Sequence, residues 1–220
     1  MNIFDIIGPV MIGPSSSHTA GAVKIGNAAQ NIFNKKIDKA VIHLYNSFSD
    51  TGKGHGTDTA LIGGLLGYRP DDENIVNSYE IAKERGVEIC VMWEEGLDEK
   101  YEPNTAVIEL WGEGTHTQIT AASVGGGRIR ATEIDGYDIR LSCEHDTLIT
   151  IHKDVVGVVS KVSTIFAQYG VNIAFLALYR KIPGEEMMIV ETDNPICDEI
   201  VEKVLKIDEI IKASNIKKLV

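Results

Sequence analysis

The sequence contains little cysteine, the residue on which disulfide-stabilised proteins and thiolate-bound metal sites depend. Its 220 residues include three cysteines, Cys90, Cys143 and Cys197, which lie far apart and form no CxxC pair. An odd number of scattered thiols makes no disulfide framework and matches no zinc or cluster spacing. Because each cysteine lies in or beside an apolar run, we predict buried free thiols in a reducing compartment.

Excess positive charge and a long apolar run are also missing. The chain carries 21 basic against 32 acidic side chains, so its formal net charge is −11. Nucleic-acid-binding domains concentrate basic residues, and we therefore expect no nucleic-acid partner. The N-terminal MNIFDIIGPVMIG is apolar but short, and it contains Asp5 and no basic residue. It fits neither a membrane span nor a signal peptide, so we expect a cytoplasmic protein with no membrane partner.

The order of predicted elements indicates two domains. From Thr147 the chain alternates strand, helix, strand, strand, helix and strand, which is the βαββαβ order of a ferredoxin-like fold. The earlier part mixes helices with strands such as KAVIHLYN, and SFSDTGKGHGTD is predicted to be a loop because of its glycines and serines. We predict an α+β protein with a mixed α/β domain over residues 1–143 and a ferredoxin-like domain over residues 147–220.

Residues 13–21 read GPSSSHTAG and precede a predicted helix. One of Ser15, Ser16 and Ser17 is enough to cap that helix, because one hydroxyl satisfies one free backbone N–H. The other hydroxyls, with His18 and Thr19, exceed this need. Since a helix N-terminus favours negative charge, the surplus predicts an anion site. Simple capping is the alternative.

Residues 46–58 read NSFSDTGKGHGTD and follow a predicted strand. A neutral histidine is the most common general base near neutral pH, so His55 is the first candidate for that role. Asp58 is expected to orient the imidazole, and Lys53 is expected to balance a carboxylate or to act as a rival base. Taken alone, this stretch is equally compatible with a plain turn. We assign no chemistry to the other histidines: His43, His116, His145 and His152.

Together, GPSSSHTAGAVKIG and TGKGHGTDTALIGGLLG resemble the β-chains of bacterial iron–sulfur-dependent L-serine dehydratases, and the resemblance covers essentially the whole chain. The first domain also resembles the allosteric substrate-binding domain of some phosphoglycerate dehydrogenases. The stretch HKDVVGVVSKVSTIFAQYGVNIAFLALYRK resembles an ACT domain. ACT domains bind an amino acid or associate side by side, and the candidate ligand residues by this resemblance are Asp154, Gly157, Asn172 and Ile173. A purely structural role in subunit association is the alternative.

The dehydratase resemblance implies an L-serine ammonia-lyase that converts L-serine to pyruvate and ammonia and is active only with an α-chain. That α-chain is expected to hold a [4Fe–4S] cluster through its own cysteines, with no metal ligand from this chain. Expected assemblies are a hetero-oligomer or an ACT-mediated dimer. By the same resemblance, His55 with Thr57 and Asp58 abstracts the α-proton, with Lys53 as rival. The residues expected to bind substrate or polarise its hydroxyl are Ser15, Ser16, Ser17, His18 and Thr19, and Thr57 is also expected to bind substrate.

Two other hypotheses remain at this stage. One is a pyridoxal-phosphate dehydratase in which Lys53 forms the Schiff base beside a glycine-rich phosphate cup. The other is a non-catalytic subunit that senses an amino acid through the ACT domain. In that case the serine-rich bend is only an anion pocket.

Overall fold

A computed structural model describes residues 9–219, so most of the apolar N-terminal segment lies outside the described residues. Contacts divide the chain into two compact units. One unit comprises Met1–Asp135 and Ile139–Ser142, and the other comprises Gly136–Asp138 and Cys143–Val220. No helix within the described residues is long and apolar enough to cross a membrane.

The first unit is built on a six-stranded sheet of order β2-β1-β3-β4-β5-β6, in which β1 pairs parallel with β2 and antiparallel with β3. Along β1 every second residue is buried, and Ala40, Ile42 and Leu44 have no exposed surface. This alternation is the pattern of a strand with one face on the core. The strands are β1 (Lys39–Asn46), β2 (Glu88–Trp93), β3 (Asn104–Gly112), β4 (Thr115–Gly125), β5 (Arg128–Ile134) and β6 (Tyr137–Leu141).

The helices of this unit include a tightly packed pair, α1 and α3. A Cβ on Gly64 would lie 2.1 Å from the Val23 carbonyl oxygen, and one on Gly26 would lie 2.2 Å from the Leu61 carbonyl oxygen. Glycine at both positions therefore lets the two backbones touch. The helices are α1 (Ala22–Phe33), α2 (Ser47–His55), α3 (Thr57–Leu65) and α4 (Ser78–Glu84), with a π-helical segment at Ser16–Gly21 and a 3₁₀ helix at Glu73–Asn77.

The second unit is a four-stranded sheet of order β10-β7-β9-β8 with two helices. Its core includes the fully buried Leu148, Val162, Phe166 and Val190. The elements are β7 (Asp146–Lys153), α5 (Val158–Gln168), β8 (Ile173–Arg180), β9 (Glu185–Thr192), α6 (Asp198–Leu205) and β10 (Ile210–Ile216). This is the predicted βαββαβ order, and the predicted fold class is confirmed.

The predicted glycine-rich loop is wrong, because Ser47–His55 forms α2 and α3 begins two residues later. The glycines serve packing and helix termination. A Cβ on Gly52 would lie 2.9 Å from the Trp93 ring, and Gly56 ends α2 with a φ of +67°. Glycine adopts that left-handed conformation most readily, because it has no Cβ.

The cysteine prediction is partly wrong. Cys143 is buried and Cys90 half-buried, but Cys197 is exposed at the start of α6. The apolar residue beside it, Ile196, is the one that enters the core. Burial raises the pKa of the Cys143 thiol to about 12, so this side chain is an inert apolar filler at neutral pH.

Candidate functional site

A strained residue joins β1 to α2 and sets where α2 begins. Asn46 has φ 53° and ψ −125°, a conformation rare outside glycine. Its buried side chain stabilises this conformation by donating to the Asp98 and Tyr101 carbonyl oxygens at 3.1 and 3.0 Å and by accepting from the Asp98 N–H at 2.8 Å. Because of this sharp turn, α2, which carries His55, begins directly after the end of β1.

The serine-rich bend begins a helix, as predicted, and Ser15 is its N-cap. The Ser15 hydroxyl oxygen accepts the His18 backbone N–H at 3.3 Å. The first turn is π-helical over Ser16–Gly21 and then becomes α1. Such π segments are rare and occur frequently at functional sites. Ser16 and Ser17 are half-buried, whereas His18 and Thr19 are buried.

The two sequence motifs meet at their histidines. The ring centroids of His18 and His55 are 4.8 Å apart, with an angle of 36° between the ring planes. Phe48 contacts the other side of His18 edge-on, with 5.2 Å between centroids. The bend and α2 thus meet in the first unit, and the side chains of both motifs lie side by side.

Thr51 contacts both imidazoles. His55 Nδ1 lies 2.9 Å from the Thr51 carbonyl oxygen, and His18 Nε2 lies 3.0 Å from the Thr51 hydroxyl. The Thr51 hydroxyl in turn donates to the Ser47 carbonyl oxygen at 2.9 Å. His18 Nδ1 lies 3.3 Å from the Ser15 hydroxyl.

Electrostatics keep His18 neutral. Burial lowers the pKa of His18, and the nearby His55 lowers it further, although a hydrogen bond to the Ser47 carbonyl oxygen partly offsets both effects. A carbonyl oxygen only accepts, so His55 must donate to Thr51 from Nδ1. When neutral, His55 therefore carries its lone pair on Nε2.

Three buried hydroxyls in this unit have no hydrogen-bond partner within the described residues: Thr19, Thr57 and Ser123. Two glycines make room for two of them. A Cβ on Gly13 would lie 2.0 Å from the Thr19 hydroxyl oxygen, and one on Gly21 would lie 2.2 Å from the Ser123 hydroxyl oxygen. Buried polar groups are normally satisfied, so the unpaired hydroxyls of Thr19 and Ser123 at the bend favour a ligand-binding role.

The predicted contact between Asp58 and His55 is absent, and Lys53 lies against an aromatic ring. Asp58 accepts a hydrogen bond from the Tyr79 hydroxyl at 3.0 Å, while His55 uses the Thr51 carbonyl, so the prediction that Asp58 orients His55 is wrong. Asp58 follows His55 by three positions, but His55 ends α2 and Asp58 lies in α3. The exposed Lys53 ammonium lies 5.1 Å from the Trp93 ring centroid, a cation–π contact that gives no support to a Schiff-base lysine.

The second unit contains a separate cavity of about 670 Å³ between the start of α5 and the sheet. Asp154 and Gly157 line it, as does His152, but Asn172 and Ile173 do not. Asn172 instead donates to the Asp193 carboxylate. The four candidate ligand residues of this domain therefore do not line one cavity within a single chain.

The cavity lining is charged and partly unsatisfied. His152 is 1% exposed and donates from Nδ1 to the Lys153 carbonyl oxygen, which leaves its Nε2 without a hydrogen-bond partner in the described structure. Glu186 Oε1 lies 3.1 Å from Arg180 Nε but is not aligned for a hydrogen bond. Asp154 accepts from Arg180 at 2.9 Å, and this contact raises the pKa of the guanidinium.

The sequence does not single out three residues of these sites: Thr51, Ser123 and His152. Thr51 precedes His55 by one helical turn, so treating SFSDTGKGH as a helix would have placed the two side chains on one face. His152 lies at the end of the strand that leads into the Gly157 turn. No sequence signal connects Ser123 to the bend, since the contact depends on the packing of β4.

The fold and these two sites define a chain with a mixed α/β domain carrying paired imidazoles and a C-terminal ACT domain. Residues 2–88 match the family model of the serine dehydratase beta chain, and residues 147–209 match the ACT domain model. The chain belongs to the L-serine dehydratase β-chain family.

Three relatives show the extent of the similarity. The probable L-serine dehydratase beta chain of Bacillus subtilis is 39% identical and aligns over 98% of this chain and 97% of its own length. The L-serine dehydratase beta chain of Peptoniphilus asaccharolyticus is 34% identical over 97% of both chains. The D-3-phosphoglycerate dehydrogenase of a Synechocystis species is 26% identical over 89% of this chain but only 35% of its own length.

Proposed function

We propose that this chain, together with an α-chain, eliminates water from L-serine to give pyruvate and ammonia. The observation that carries the proposal is the meeting of His18 and His55 from two separate motifs. Full-length similarity to dehydratase β-chains supports the same substrate. The unpaired buried hydroxyls of Thr19 and Thr57 add polar groups without an assigned structural role.

The chemistry requires a base and an anion-binding surface. L-Serine loses its α-proton to a base, and its β-hydroxyl departs with the C–O bonding pair, so that one water is lost overall. The resulting aminoacrylate becomes an imine that is hydrolysed to pyruvate and ammonia. His55 takes the α-proton on Nε2, because its Nδ1–H is held by the Thr51 carbonyl. A positioned general base contributes about 10² to 10⁴ in rate.

The serine-rich bend supplies the binding surface. Ser15, Ser16 and Ser17 lie half-buried at the start of a helix, where free N–H groups favour a carboxylate. The neutral His18 adds polarity without adding a positive charge, because its pKa is lowered. These groups hold the substrate carboxylate and ammonium beside the His55 ring.

The described residues do not fit a role as holders of a cluster. They contain no group of three or more His, Cys, Asp or Glu side chains arranged for a metal, and the three cysteines are free. We therefore propose that the α-chain supplies the cysteine ligands of a [4Fe–4S] cluster. Such a cluster, when bound, would supply Lewis acidity.

Reconstitution tests this function. The chain is mixed anaerobically with its α-chain and iron–sulfur sources, and pyruvate formation from L-serine is compared with that of each chain alone. Turnover that requires both chains supports a shared active site. Full turnover by the α-chain alone would contradict it and would make this chain a regulator. Neither chain in isolation should acquire an absorbance at about 410–430 nm with pyridoxal phosphate, the signature of a lysine imine.

A second function, amino-acid sensing, is favoured by the cavity of the ACT domain. A zwitterion matches its lining, since Arg180 and the start of α5 suit a carboxylate while Glu186 and Asp154 suit an ammonium. Calorimetric titration of the full chain with L-serine tests this. Loss of the heat signal in His152→Phe, with binding retained in Asn172→Ser, supports a site in this cavity. No heat signal in the unsubstituted chain would contradict it.

A further inference from the structure

The hydrogen bonds around Thr51 have a direction that follows from which atoms can only accept. The Ser47 carbonyl oxygen has no proton to give, so Thr51 donates to it at 2.9 Å. The only proton of the Thr51 hydroxyl is then used, and toward His18 the Thr51 oxygen can only accept. His18 Nε2, at 3.0 Å, must therefore carry the proton. The Ser47 carbonyl oxygen, 3.3 Å from the same Nε2, imposes the same direction.

The direction continues across the His18 ring. The ring is neutral because burial and His55 lower its pKa, so a proton on Nε2 leaves a lone pair on Nδ1. The Ser15 hydroxyl, 3.3 Å from Nδ1, then donates to the ring. Its oxygen already accepts the His18 backbone N–H and keeps one lone pair. Ser15 is therefore left with an acceptor and no donor.

We infer that Thr51 is a positioning residue which makes Ser15 the acceptor for the substrate ammonium. The inference rests on the proposed function. It assigns the ammonium of serine to one residue of the bend, whereas the sequence does not say which residue binds which charged group. A hydroxyl that has only a lone pair to offer binds an N–H donor and repels a carboxylate. The carboxylate is left to Ser16 and Ser17, in the first turn of the π-helical segment.

Thr51 also fixes the second ring through its backbone. Its carbonyl oxygen accepts from His55 Nδ1, so the two stacked imidazoles carry their protons on opposite nitrogens. His18 is protonated on Nε2 and His55 on Nδ1. The lone pair of His55 Nε2 is thus available for a proton, while that of His18 Nδ1 is occupied by Ser15.

The tautomers are measured first, on the isolated full chain, by imidazole ¹⁵N and ¹H correlation NMR near pH 8. We expect protonated Nε2 on His18 and protonated Nδ1 on His55. In Thr51→Val the His18 N–H should exchange faster with water, and Thr51→Ser should restore the slow exchange. A proton on His18 Nδ1 in the unsubstituted chain would overturn the inference, whether or not the chain is part of a dehydratase.

Selectivity is measured next, on the enzyme reconstituted with the α-chain, by inhibition constants for L-alanine and 3-hydroxypropionate. L-Alanine has the ammonium, and 3-hydroxypropionate lacks it. Ser15→Ala should weaken L-alanine about tenfold, as expected for one hydrogen bond to a charged group, and should leave 3-hydroxypropionate unchanged. Thr51→Val should also weaken L-alanine relative to 3-hydroxypropionate, and Thr51→Ser should restore the original ratio of the two inhibition constants. Equal weakening of both inhibitors would overturn the assignment.

Discussion

The imidazole rings of His18 and His55 lie face to face at a tilt, 4.8 Å between centroids, with Thr51 bonded to both. Stacked imidazoles do not both accept a proton easily, because two positive charges at this distance repel. A proton taken by His55 therefore makes His18 harder to protonate. The pair is therefore suited to take up one added proton and not two.

The lowered pKa of His18 predicts a loss of stability in mild acid. The unfolded histidine titrates near 6.5, and the folded one titrates lower because of burial. Below about pH 6.5 the unfolded chain therefore binds more protons than the folded chain, and the free energy of unfolding falls as the pH falls. Urea unfolding at pH 7.5 and 5.5 should show a smaller decrease in the free energy of unfolding for His18→Gln than for the unsubstituted protein. An identical decrease in both proteins would show that His18 does not contribute.

Asp58→Asn should have a small effect on turnover, because Asp58 pairs with Tyr79 and not with His55. We expect kcat of the reconstituted enzyme to fall less than about tenfold, against 10² to 10⁴ for loss of a general base. Tyr79→Phe, which removes the same hydrogen bond from the other side, is the matched control. A loss of several hundredfold confined to Asp58→Asn would restore the aspartate to the catalytic machinery.

Two glycine substitutions should distinguish the effect of close helix packing from the effect of helix propensity. Gly64→Ala places a methyl group 2.1 Å from the Val23 carbonyl oxygen, which neither backbone can avoid, so α1 and α3 must move apart. We expect a loss of about 1–3 kcal/mol, or more, in the free energy of unfolding. Gly54 has nothing within 4 Å of an added Cβ, and Gly54→Ala should stabilise α2 by up to about 1 kcal/mol. Equal effects, measured by urea unfolding, would contradict the close packing.

A matched pair of variants tests the backbone strain at Asn46. Both Asn46→Gly and Asn46→Ala lose the three hydrogen bonds to Asp98 and Tyr101, but only glycine adopts a φ of 53° readily. Asn46→Ala should therefore be less stable than Asn46→Gly by about 1–3 kcal/mol. Thermal unfolding of the two proteins compares them directly. If alanine were equally well tolerated, the turn would not be strained.

Much of the fold follows from local sequence pattern. KAVIHLYN alternates buried and half-buried residues along β1, and Ser15 caps the helix that the serines predict. The ACT domain follows from the order of its elements. The glycine-rich segment is a helix and not the predicted loop, since glycine costs only about 1 kcal/mol in a helix. Packing of Gly52 against Trp93 and Thr57 outweighs that cost in α2.

The site was predicted in outline and not in its contacts. The residue types of the two motifs identify His18 and His55, and the structure brings them together. Which group holds each ring depends on α2 being a helix, since this places the Thr51 carbonyl one turn before His55. The unpaired hydroxyl of Ser123 comes from β4, far away in sequence, and only tertiary packing reveals it.

The most direct test is the rate of pyruvate formation by His55→Ala in the enzyme reconstituted with the α-chain, with the unfolding free energy checked in parallel. His116→Ala, at an exposed position on β4, is the control. We predict that kcat falls by about 10² to 10⁴ for His55→Ala and changes little for the control. A near-normal kcat in a folded His55→Ala enzyme would contradict the assignment of this histidine as the base.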